Sequence, residues 1–137
     1  MKIILFGHKE RTSQSLEYLI KKNIKIECLI LPKNVNDDDP AKSIAIANNI
    51  KIFTWKSNVK EMLKALNAVN ADLFIVTGFP HIFSKSIISL PKIGVLNLHG
   101  GKLPNYRGSS PINWALINGE KIITISILKM TEEIDAG

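Results

Sequence analysis

Short apolar runs alternate with amphipathic ones along the chain. Residues 2–6, "KIILF", form an Ile-rich run ended by Gly7, the pattern of a buried strand. In residues 11–22, "RTSQSLEYLIKK", the apolar positions 16, 19 and 20 recur at helical spacing. Residues 24–31, "IKIECLIL", return to strand and are closed by Pro32. After the loop "NVNDDDP", Asp39 suits the cap and Pro40 the first turn of a helix over "AKSIAIANN". "IKIFTW" predicts a third strand. Ser57 is placed to cap the helix "NVKEMLKALNAV", whose positions 59, 62, 63 and 66 share a face.

"ADLFIVTG" is apolar on both faces, as the interior of a parallel sheet requires. "SKSIISL" predicts a short helix ended by Pro91, and "IGVLNLH" a fifth strand. "SSPINWALING" predicts a helix with Pro111 early and Gly119 past its end. "KIITISILKM" alternates enough for a sixth strand. Strands alternating with helices predict an α/β fold, a Rossmann-like, doubly wound, mostly parallel sheet with right-handed crossovers. Such sheets bind ligands at the carboxyl ends of their strands. Those ends are Gly7-His8, Pro32, Trp55, Gly78-Phe79-Pro80 and Asn97-Leu98-His99.

A length of 137 residues suits one compact domain, and 45% hydrophobic with 22% charged residues is ordinary globular composition. No apolar run approaches the ~18 residues of a membrane span, so no membrane partner is expected. The amino terminus has too short an apolar stretch for a signal peptide. Cys28 stands alone in a strand-like run, which fits a core thiol in a reducing cytoplasm. The net charge of +6 favours anionic partners, but the lysines are scattered and residues 37–39 are all aspartate. That dispersal reads as a solvated surface rather than a nucleic-acid footprint.

The first turn, "FGHKERTSQS", has one glycine where a dinucleotide fingerprint needs three, and no phosphate loop of the GxxxxGK[ST] type occurs. No Cys/His cluster has metal-ligand spacing, so no metal is expected. Ser84, Ser109 and Ser110 lie in no G-x-S-x-G elbow. What remains is Asn97 and His99, which point to the same face of their strand. An amide and an imidazole converging on one spot suit acyl transfer, as oxyanion donors and proton shuttle. An acid is needed to orient the imidazole. Glu120, Glu132, Glu133 and Asp135 are the candidates, and spacing does not choose among them.

The stretch "NLHGGKLPNYRGSSPINWALINGE…DAG" resembles the folate-dependent formyltransferases. The shared pattern is Asn-x-His, a Leu-Pro loop with Arg-Gly, a tryptophan on a short helix, Gly-Glu, and a closing Asp-x-Gly. The resemblance implies the formyltransferase fold over 1–137, as the amino-terminal part of a catalytic domain. Asn97, His99 and Asp135 match the catalytic trio. Phe79, Pro80, His81, Ile82 and Phe83 match the segment lining the pterin slot, largely through backbone. Gly101, Lys102, Leu103 and Pro104 match a folate-contacting turn with a cis bond before the proline. Thr131, Glu132, Glu133 and Ile134 match the segment closing over the pterin. The implied co-substrate is 10-formyltetrahydrofolate, whose formyl carbon a neutral amine attacks while Asn97 and His99 face the oxyanion. The chain departs from the family in "GHKE", where Gly-Thr-Pro is frequent, and in "IITISI", which lacks a Thr-Gly. It also stops at Gly137, where family domains continue through a further strand and a long helix, so an incomplete domain is expected.

The acidic "NVNDDDP" loop argues against transfer RNA, since phosphate backbones attract lysine and arginine. "INWALINGE" and "DAG" look closer to the amino-sugar branch. The expected acceptor is therefore a nucleotide-linked amino sugar of cell-surface polysaccharide or lipopolysaccharide (O-antigen) precursors. The alternatives are methionyl-tRNA formyltransferase and a non-catalytic folate- or nucleotide-binding remnant. Tyr106 and Arg107 are candidate contacts to sugar or phosphate, with fixing its own loop as the other role for Arg107. Trp55 could stack on a base or fill core. Trp114 is expected to pack, and His8 to sit at the surface. A homodimer stays open for a longer form.

Overall fold

The computed structural model describes residues 1–137. Five parallel strands form most of one sheet: β1 (Ile3–Gly7), β2 (Ile26–Leu31), β3 (Lys51–Thr54), β4 (Leu73–Thr77) and β5 (Gly94–His99). A sixth, β6 (Ser126–Lys129), joins β5 antiparallel, giving the order β3-β2-β1-β4-β5-β6. The helices are α1 (Lys9–Lys21), α2 (Pro40–Ala47), α3 (Val59–Val69), α4 (Lys85–Ile88) and α5 (Pro111–Ile117).

Alternation along the strands divides the core into two layers. Ile3, Leu5, Leu29 and Leu31 face Leu16 of α1 and Ala41 and Ala45 of α2. Ile4, Phe6, Cys28, Ile30, Phe74, Val76 and Val95 face Met62 and Leu66 of α3 and Ile87 of α4. Burial pushes the Cys28 thiol up to about 12, so it is an inert core residue. Asp39 caps α2, its Oδ1 accepting from the backbone N–H of Ala41 at 3.0 Å and of Lys42 at 3.3 Å. Its Oδ2 accepts from Lys9 N–H at 2.9 Å, which fastens the turn between β1 and α1. No helix is long and apolar enough to cross a membrane.

Three expectations change. The cap of α3 is Asn58, not Ser57: helical geometry starts at Val59, and Asn58 Oδ1 accepts from Lys60 N–H and Glu61 N–H. A cap must directly precede the first helical residue. The sixth strand begins only at Ser126. Ser126 already pairs with His99, the last residue of β5, so residues 121–125 have no partner strand. Trp114 is exposed rather than packed, because α5 turns only Ala115 fully into the core.

Candidate active site

The strand order reverses between β1 and β4, so their carboxyl ends open a crevice. β5 lies beside β4, with Asn97 opposite Val76. Val95, Asn97 and His99 share one face of β5. Val95 is fully buried, and the two polar residues extend that face to the sheet edge. The chain beyond β6 then doubles back. Gly137 passes against the Lys129 carbonyl with no room for a Cβ, which accounts for the glycine of Asp-x-Gly. Asp135 takes a left-handed backbone (φ 50), a conformation Asp tolerates better than most residues.

This return brings the acid to the pair. Asp135 Oδ2 stands 3.5 Å from His99 Nδ1, and Oδ1 accepts from Asn97 Nδ2 at 3.5 Å. Gly108 N–H donates to Oδ2 at 2.8 Å and fixes the carboxylate. His99 Nε2 donates to the Tyr106 carbonyl at 2.5 Å. A carbonyl only accepts, so this contact sets the ring's orientation and leaves Nδ1 toward Asp135. The other acids are engaged elsewhere or turn away. Glu120 accepts from the Tyr106 phenol at 2.9 Å, Glu132 pairs with Lys85 at 2.8 Å, and Glu133 is exposed on the cavity wall.

The trio lines a cavity of about 580 Å³. Its walls are residues 78–83, 97–100, 108–111 and 131–135, with Arg11, Val76, Leu128 and Met130. Phe79, Pro80, His81, Ile82 and Phe83 are all in the wall, as are Thr131, Glu132, Glu133 and Ile134. Behind the first segment lies an aromatic cluster. The His81 ring stacks on Trp55 at 5.3 Å and 6°, and Phe6, Phe79 and Phe83 pack around them. Burial, and then Lys33, lower the His81 pKa. The Glu132 hydrogen bond raises that of Lys85.

Several predicted contacts lie elsewhere. Gly101, Lys102, Leu103 and Pro104 are outside the cavity wall. Their turn, with a cis bond between Leu103 and Pro104, instead braces β6: Ser126 Oγ donates to the Gly101 carbonyl and accepts from Leu103 N–H. Trp55 is 7% exposed and covered by rings, which leaves no free face for a base. Tyr106 serves through its carbonyl, while its phenol turns to Glu120 and Asn118. Arg107 is exposed and outside the wall. His8 is partly buried, with Nδ1 3.9 Å from Asp39. The wall residues that sequence reasoning missed are Arg11, Val76, Gly108, Ser109, Ser110, Pro111, Leu128 and Met130. Pairing of β6 with β5 gives Leu128 a findable signal, since it sits opposite Asn97. Arg11 has none, being a polar position of a surface helix. No group of three or more His, Cys, Asp or Glu is placed to hold a metal ion.

The profile of the formyl transferase family matches residues 1–137. Methionyl-tRNA formyltransferase of Clostridioides difficile is 34% identical over all of this chain and 47% of its own length. Its counterpart in Fusobacterium nucleatum is 37% identical over all of this chain and 46% of its length. The chain thus spans about half the length of these curated relatives. In fold it is similar to phosphoribosylglycinamide formyltransferase from Bacillus halodurans, with TM-score 0.84 at 16% identity over 100% of this chain and 75% of that one. A formyltetrahydrofolate deformylase from Pseudomonas syringae gives TM-score 0.81 at 21% identity over 99% of this chain and 48% of that one. The amino-sugar expectation has no counterpart among these relatives, whose names carry methionyl-tRNA instead.

Proposed function

Because this chain belongs to the formyl transferase family, we propose that it forms the catalytic part of an enzyme that transfers a formyl group from 10-formyltetrahydrofolate to the amino group of methionyl-tRNA. The observation that carries formyl transfer is the Asp135 carboxylate reaching both Asn97 Nδ2 and His99 Nδ1 at a cavity wall. The methionyl-tRNA acceptor is supported by the relatives at 34% and 37% identity over the whole chain, against the acidic loop at 37–39.

The family's co-substrate is 10-formyltetrahydrofolate, and the residues present fit its pterin end. The cavity volume lies within the ~300–1,000 Å³ range of small-molecule sites. His81 Nε2 and Ser84 Oγ are buried without a hydrogen-bond partner, and His81 forms part of the wall. Residues 79–83 and 131–134 both line the cavity. When bound, the co-substrate supplies an activated formyl carbonyl.

The chain's own residues then have distinct tasks. Asn97 Nδ2 offers a donor where charge gathers on the formyl oxygen as the amine adds. His99 stands beside that donor on the same strand face, its ring oriented by the Tyr106 carbonyl at Nε2 and by Asp135 at Nδ1. Asp135, held by Gly108 N–H, orients the imidazole and receives the amine proton directly or through water.

Single-turnover formyl transfer, with methionyl-tRNA and a dTDP-4-amino sugar as competing amines, tests the reading. Faster transfer to methionyl-tRNA is expected. Preference for the sugar restores the amino-sugar acceptor. Absence of transfer to any amine, with 10-formyltetrahydrofolate still raising the melting temperature, leaves a folate binder.

A further inference from the structure

We infer that Arg11 binds a phosphate of the amine substrate at the crevice between β1 and β4, and so orients that substrate toward His99. The inference rests on the formyl-transfer reading above. Among lysines and arginines, Arg11 alone lines the cavity, while three carboxylates, Glu132, Glu133 and Asp135, stand in the wall. Asp135 is engaged by the trio and Glu132 by Lys85, and Arg11 forms no ion pair with any carboxylate. An anionic substrate entering this cavity is repelled by the 131–135 wall and attracted by one guanidinium.

The position of Arg11 is built in. The neighbouring Thr12 is fully buried, and its Oγ1 lies 2.9 Å from the His8 carbonyl, the Thr77 carbonyl and Thr77 Oγ1. Thr77 Oγ1 in turn donates to the Phe6 carbonyl. This knot pins the first turn of α1 to the carboxyl end of β4. The guanidinium then lies over the turns that follow β4 and β5. A Cβ added at Gly78 would stand 3.4 Å from Nη1, and one at Gly100 would stand 3.3 Å from Nη2. Gly100 directly follows His99, so an oxyanion held by Arg11 sits beside the reacting centre. A planar fork of donors suits a phosphate, which accepts two of them together.

Arg11→Gln keeps the reach of the side chain and removes its charge, and Arg11→Lys keeps the charge without the fork. Adenosine 5′-monophosphate is the binding probe, titrated calorimetrically into each protein, with melting temperatures as the check on folding. Affinity is expected to fall about tenfold in Arg11→Gln and less in Arg11→Lys. With methionyl-tRNA, KM rises by a similar factor in Arg11→Gln, kcat holds, and the salt slope of log KM falls by about one. KM for 10-formyltetrahydrofolate stays constant. Unchanged nucleotide affinity and acceptor KM in folded Arg11→Gln overturn the inference. So does a raised KM for 10-formyltetrahydrofolate that disappears with 10-formyltetrahydropteroate, which lacks the glutamate carboxylates. Arg11-dependent nucleotide binding in a protein that formylates no methionyl-tRNA supports the Arg11 site and rejects that acceptor.

Discussion

Residues 1–99 and residues 100–137 are held by different forces. The two core layers lie wholly within the first region. The second adds only Leu128 and Ala115 as buried apolar side chains, and exposes Trp114, Leu116, Ile117, Ile122, Ile125 and Ile127. Its order comes from hydrogen bonds: Ser126 to the Gly101 turn, Tyr106 to Glu120, and Asp135 to Gly108. The scaffold that aims Asn97 and His99 is fixed by packing. The acid that completes the trio is fixed by a few polar contacts, each worth about 0.5–1.5 kcal/mol net. Stability and chemistry are therefore separable in this protein.

The sharpest way to break that comparison is in the packed region. Phe6 is fully buried and meets four aromatic rings, so Phe6→Ala should cost about 3–5 kcal/mol by urea denaturation. A loss under about 1 kcal/mol would mean the aromatic cluster is not the structural centre. Asn97→Ala should act on chemistry instead. Removing one oxyanion donor costs about 3 kcal/mol in activation, a rate loss of about a hundredfold or more. Single-turnover rates and melting curves measured together should show the rate falling and the melting temperature holding.

Asp39→Ala removes an α2 cap and the anchor on Lys9 N–H, and should cost about 1–2 kcal/mol, read by denaturant titration. Lys85→Ala breaks an exposed ion pair to the 131–134 segment and should leave the melting temperature in place. Any effect belongs in KM for 10-formyltetrahydrofolate. A changed melting temperature would mean that residues 131–134 support the fold.

The smallest effect is in pH. Burial is the first cause lowering the pKa of both His8 and His81, followed by Lys9 for His8 and by Lys33 for His81. With folded values below the usual 6.5, the unfolded chain binds more protons just below that pH. Stability should therefore be full above about pH 6.5 and decline modestly as the pH falls through the depressed values. His8→Gln with His81→Gln should flatten that decline in melting temperature.

The packed region was also the legible one. Apolar runs at 2–6, 24–31 and 71–78 form strands because burial on both faces leaves a continuous signal. Asn97 and His99 could be paired from strand periodicity alone. Asp135 could not, because a doubled-back chain and a left-handed residue bring it home, and neither leaves a period in sequence. Resemblance supplied it. Arg11 was illegible for a related reason: α1 and β5 meet only through the sheet order, 88 positions apart in the case of Arg11 and His99. Ser57 and Trp114 were misread at boundaries, where one residue's shift in a helix start or one exposed face reverses the expectation.

The His81–Trp55 stack makes this chain its own optical probe. Of two tryptophans, Trp55 is enclosed and Trp114 faces water, so their emission separates into a blue and a red component. Trp55 lies directly under the ring of a cavity-wall histidine, and an imidazolium there draws on its π face and quenches it. Protonation of His81, or a ligand engaging its unpartnered Nε2, should therefore be readable as a change in the blue component alone, with the red emission of Trp114 as the internal standard.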